Sequence, residues 1–166
     1  MSFNWIVIFL AALIPLVIGA LWYSPMMFLN AWLAASGLDQ ERLKGANMTK
    51  IFGLTYIFSL LMALAVSFLV IHQFSIYSIF ANDPTMSDPN SETGKYISDF
   101  MAKNGQNFRT FKHGVFHGVE FTLLLIFPIL GINSLFERRP FKYTLIHTGF
   151  WMVTIALMGG VICQFL

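Results

Sequence analysis

His113, His117 and Glu120 stand four and then three residues apart, so on a helix all three fall within about 60° of one another on a single face. Glu120 is the formally charged residue that lies well inside a long apolar run. An ionised carboxylate in hydrocarbon costs from roughly 2.5 kcal/mol upward, so it requires neutralisation or a partner, and the two imidazoles supply one. His72 ends another apolar run at the same level, and Cys163 and Gln164 reach that level at the end of the chain. His147 belongs toward the opposite face and is not counted with them. Three chemistries suit a buried cluster of Glu120, His117, His113 and His72. It can be polar glue between helices, a proton- or cation-linked site, or a metal or haem site. The order His-x-x-x-His-x-x-Glu is not the His-Glu-x-x-His of metalloproteases. The metal question stays open and no cofactor is assigned.

The elements that must carry these residues are membrane spans. The 166 residues are 57% hydrophobic and 11% charged, against roughly 25% charge in soluble domains, and the mean hydropathy is +0.68. One cysteine excludes a disulfide scaffold, and a net charge of +2 excludes a nucleic-acid binder. A helix needs about 20 apolar residues to cross a bilayer. Four runs meet that length, at about 5–23, 51–71, 113–132 and 143–165. The reading is therefore a single all-α membrane domain of four transmembrane helices in a bundle, with an extramembrane loop over about 82–107. The first run lacks the basic start of a signal peptide and is taken as a retained span. Pro15 and Pro128 are expected to kink the first and third spans. Each has a glycine a few residues on, Gly19 and Gly131, a faint echo of a parallel repeat.

Between the first two spans, Trp22, Tyr23, Ser24 and Pro25 read as interfacial aromatics followed by a helix start, with Ser24 as cap and Pro25 at the first helical position. Trp32 continues a short amphipathic helix that Gly37 ends, an element suited to the membrane surface. In the long loop, Tyr96, Ile97, Phe100 and Met101 have helical spacing and Gly105 stops them. Gly114 and Gly118 form a small-residue pair for close helix packing, with Gly159 and Gly160 as receivers. Glu137, Arg138 and Arg139 sit at the other interface, where the basic pair suits anionic lipid. Basic residues in both short connections place that side in the cytoplasm and both termini outside.

No nucleophile elbow, phosphate-binding glycine loop, paired catalytic carboxylates or Cys-x-x-Cys is present, so no enzymatic activity is expected. The expected role is a structural or accessory membrane subunit, in contact with lipid and with further copies or a larger membrane complex. The alternative is a homo-oligomer conducting a proton, an ion or a small solute. Gly19-Ala20-Leu21-Trp22-Tyr23-Ser24-Pro25 with Phe28 and Trp32, then His113-Gly114 with Gly118, Phe136-Glu137-Arg138-Arg139, and Leu157-Met158-Gly159-Gly160 resemble the bacterial membrane family called domain of unknown function 1761. The resemblance implies a small four-span bacterial inner-membrane protein without an assigned activity.

Overall fold

The computed structural model describes residues 3–166, and every regular element among them is helical. Asn4 caps α1 (Trp5–Ala11), its side chain accepting from Ile6 N at 3.2 Å. α2 (Ile14–Trp22) then resumes the first span. Pro15 lies in the first turn of α2, where a missing N–H is tolerated, so the chain breaks just upstream instead of kinking around the proline. The turn is carried by Leu13 N to Leu10 O and Leu16 N to Leu13 O, both 3.1 Å.

The expected helix start at Ser24 and Pro25 is not where the helix starts. Those residues form a tight turn, closed by Met27 N donating to Ser24 O at 3.0 Å, and α3 (Leu29–Ser36) begins after it, with Phe28 at its cap giving no side-chain bond. The reason is aromatic. Trp22 packs on Phe28, ring centroids 4.5 Å apart, while its Nε1 donates to Ile146 O at 3.1 Å, pinning the turn before the helix can form. Gly37 ends α3 in the left-handed region at φ 66°, as a helix-terminating glycine does.

α4 (Gln40–Leu43) leads to α5 (Met48–Val70), capped by Asn47. The segment beyond it holds α6 (Phe74–Ile79) and α7 (Glu92–Asn104); Ser91 Oγ accepts from Gly94 N at 2.9 Å to start α7. The third span is α8 (Phe111–Phe121), a π-helical turn over Thr122–Ile126, and α9 (Phe127–Phe136). Pro128 sits at the start of α9, and the widened turn precedes the place where the ladder lacks a donor. α10 (Phe141–Phe165) is the fourth span. Trp5–Trp22, Met48–Val70, Phe111–Phe136 and Phe141–Phe165 are long and apolar enough to cross a membrane.

α10 is the central helix. Ile155, Met158 and Ile162 pack against Val66 and Val70 of α5 and Ile8 of α1, all nearly inaccessible. Its closest partner is α8, and glycine is the cause. A Cβ on Gly114 would come within 2.1 Å of Gly159 O, and one on Gly118 within 2.6 Å of Ala156 Cα. Gly160 receives the Phe111 ring, 2.6 Å from such a Cβ. The two backbones therefore touch, the close approach that small residues permit in membranes. Gly19 faces the Phe150 ring while Gly131 faces open space, so the echo between the halves has no counterpart in packing. Large apolar residues such as Phe58, Phe68, Leu124 and Phe136 point outward, a surface for acyl chains.

Candidate metal centre

Three segments meet at the end of the bundle that carries both α6 and the start of α8. His72 follows the end of α5, while His113 and His117 are one turn apart near the start of α8. Thr110 starts that helix, its hydroxyl accepting from His113 N at 3.2 Å, and Gln164 Oε1 accepts from Phe111 N at 3.1 Å. Gln164 thus serves the helix start and is not a member of the histidine cluster. The buried Cys163 thiol lies within reach of two carbonyls, Val70 O at 3.4 Å and Phe108 O at 3.3 Å. It ties the end of α5 and the turn before α8 to α10, so the segments bearing the imidazoles share one anchor.

The Nε2 atom of His72 lies 3.0 Å from His113 Nε2 and 3.2 Å from His117 Nε2. All three residues offer nitrogens within 4.8 Å of one another. A single imidazole nitrogen donates one proton or accepts one, so His72 Nε2 makes a full hydrogen bond to at most one of its two neighbours. A metal ion satisfies all three at once. Zinc–imidazole bonds of ~2.0–2.1 Å put the ligand nitrogens of a tetrahedron about 3.3 Å apart, close to the spacing found.

Glu120 Oε2 sits 2.9 Å from His117 Nδ1. A proton on Nδ1 held by the carboxylate leaves the Nε2 lone pair facing the other imidazoles, which is how carboxylates orient metal-bound histidines. The burial expected for Glu120 is not found. Glu120 is not buried between helices: its side chain is 45% exposed against 17% for His117, and its bond is to its own helix, not across the bundle. Gly114 and Gly118 take the face of α8 against α10, which turns the stripe of His113, His117 and Glu120 away from the interior.

The cluster opens toward a cavity of about 440 Å³, with His72 in its wall together with Gln73, Ile76, Phe80, Phe100 and Phe108. Gln73 Nε2 donates to Asn104 O at 3.0 Å and Asn107 O at 2.8 Å, fastening α7 and the following turn across it. Phe108 has φ 62° in the turn where Arg109 N reaches Gln106 O at 3.3 Å. A bulky residue there is strained by about 1–3 kcal/mol. Its ring packs on His113, centroids 5.2 Å apart, so the strained residue stands between the cavity and His113, while His72 itself faces the cavity. Neither Phe108 nor Gln73 is marked by any sequence pattern. A left-handed position announces itself only when glycine or asparagine fills it.

The other singled-out residues lie at the far end. Tyr23 hydroxyl is 2.8 Å from His147 Nδ1 and its ring packs edge-on to Trp32. Arg139 donates to Ser36 O at 2.5 Å, lies 3.5 Å from Glu137 and covers the Tyr143 ring. Arg139 therefore braces α3 against α10, and the exposed Arg138, at φ 54°, is the member of the pair turned to the surroundings.

Compared with known proteins, the family model described as "Protein of unknown function (DUF1761)" matches residues 6–163. No curated protein and no solved structure matches the chain. The chain belongs to this family.

Proposed function

We propose, from membership in a family whose activity is unassigned, that the chain is a non-enzymatic membrane protein that binds one divalent transition-metal ion through His72, His113 and His117. The observation that carries this reading is the approach of His113 Nε2 and His117 Nε2 to His72 Nε2 at 3.0 and 3.2 Å, with Glu120 beside His117. An all-imidazole set suits zinc, copper, iron or nickel, and zinc matches the spacing. Hydrolytic zinc sites add a base beside the open ligand position. Here the nearby carboxylate is engaged with His117, which favours holding the metal over using it for hydrolysis.

In the same reading the protein resides in a bacterial inner membrane with both termini and the histidine end on the periplasmic side. The basic residues Arg138, Arg139 and Lys142, and Arg42, Lys44 and Lys50, belong to the opposite, cytoplasmic end. Its outward apolar residues meet lipid and further copies of the chain or a larger complex. A conducting pathway, the rival role, would not run between α8 and α10, whose backbones touch at Gly114 and Gly159.

Metal analysis after dialysis against zinc tests the proposal. One zinc per chain in the native protein and loss of it in His113→Ala, with helicity unchanged by circular dichroism, is expected. Equal zinc in both proteins, or none in either, contradicts it.

A further inference from the structure

We infer that the open coordination position of this centre takes the head of a small amphiphile, a carboxylate on an apolar chain, with the chain lying in the cavity beside His72. The inference rests on the metal reading above and adds the class of ligand. Three histidines leave a tetrahedral ion one free position, and neutral imidazoles leave its double positive charge unbalanced, so an anionic oxygen is the complementary head. His72 is the one of the three that also lines the cavity, so the cavity borders the cluster on that side, and we assign the free position to it.

The rest of the wall specifies the tail. Among the described residues no acidic or basic side chain other than His72 lines the cavity, and Ile76, Ile79, Phe80, Tyr96, Phe100 and Phe108 supply its apolar surface. The amides in the wall are already committed within the protein. Gln73 donates to Asn104 O and Asn107 O, Asn107 Nδ2 to Asn104 Oδ1 at 3.0 Å, and Asn104 Nδ2 to Phe100 O at 3.1 Å. Apart from the hydroxyl-bearing Ser75 and Tyr96, a ligand with polar groups along its length would find few partners, whereas one polar only at its head finds the metal at one end and aromatic rings beyond it. A volume of about 440 Å³ falls in the range of small-molecule sites. The strained Phe108, in contact with both His113 and the cavity, is placed where backbone strain gathers at ligand sites.

Cobalt(II) replaces zinc as a coloured probe of coordination. The full chain, in lipid nanodiscs and loaded with cobalt, is titrated with acetate, butanoate, hexanoate and octanoate while the visible ligand-field bands are recorded. Each acid is expected to shift the bands, with affinity rising about fourfold per added methylene. Phe100→Ala is expected to weaken octanoate at least tenfold and leave acetate unchanged. A response independent of chain length shows an open metal position that takes any small water-soluble acid, and it overturns the apolar-tail assignment. Bound cobalt whose bands no acid moves also overturns the inference while leaving the metal reading standing. Failure to bind cobalt at all overturns the metal reading itself.

Discussion

His147 and His117 are both partly enclosed histidines on membrane-spanning helices, yet the two ends of the bundle use them differently. At the far end, His147 is a solitary imidazole: Tyr23 hydroxyl meets its Nδ1, Tyr143 packs edge-on at 4.3 Å, and its buried Nε2 finds no partner among the described residues. At the near end the histidines turn their nitrogens toward one another. A histidine in an aromatic sleeve holds helices in place. Histidines whose nitrogens converge from separate segments leave a gap in hydrogen bonding that a cation would fill. Convergence, not residue type, separates a brace from a site.

The contrast is broken most severely at the glycines. Gly114→Val forces a side chain onto the Gly159 backbone, beyond the ~1–3 kcal/mol of ordinary overpacking. It should disperse the histidine end and abolish zinc binding, while the indole Nε1–H resonance of Trp22, on the opposite end, keeps its position by NMR. His72→Ala should next reduce zinc affinity by more than about 100-fold, whereas His147→Ala leaves it unchanged, both read by competition with a chromophoric chelator. Glu120→Gln keeps the ligands but loses the carboxylate that orients His117, and should weaken zinc by about 10- to 100-fold. Tyr23→Phe should leave zinc affinity intact and lower thermal stability by about 1 kcal/mol, the scale of one hydrogen bond.

The smallest effect is expected in the polar segment between α6 and α7. Asp83 accepts from the Thr93 hydroxyl, from the Thr85 hydroxyl and from Thr85 N, and these bonds hold its carboxyl below the usual carboxylate range. A depressed acid contributes order above its unfolded value and loses that contribution as the pH falls through its folded value. Protection of the Thr85 amide, taken relative to its intrinsic exchange rate at each pH, should therefore hold at neutral pH and fall in acid, below about pH 4, with no such transition in Asp83→Asn.

The four spans were legible because hydrophobic length is a strong signal, and the stripe of His113, His117 and Glu120 because helical spacing places residues on one face. The spacing did not say which face. Gly114 and Gly118 on the same helix claim the interior, and that competition turned Glu120 outward. The aromatic lock of Trp22 on Phe28 was equally hidden in Trp-Tyr-Ser-Pro, whose local pattern spells a helix start. His72 lies 3.0 Å from His113 Nε2 because the second span leaves the bundle where the third enters. The cavity was beyond sequence reasoning: it depends on Gln73 holding the α7 turn and on a phenylalanine at positive φ.

The central claim is that His72, His113 and His117 share one metal ion. X-ray absorption at the zinc edge of the loaded protein measures the ligands directly. Three imidazole nitrogens at ~2.0–2.1 Å, with one fewer in any zinc retained by His72→Ala, are predicted. A zinc environment of oxygen ligands alone, or one unchanged by removing His72, would contradict the account.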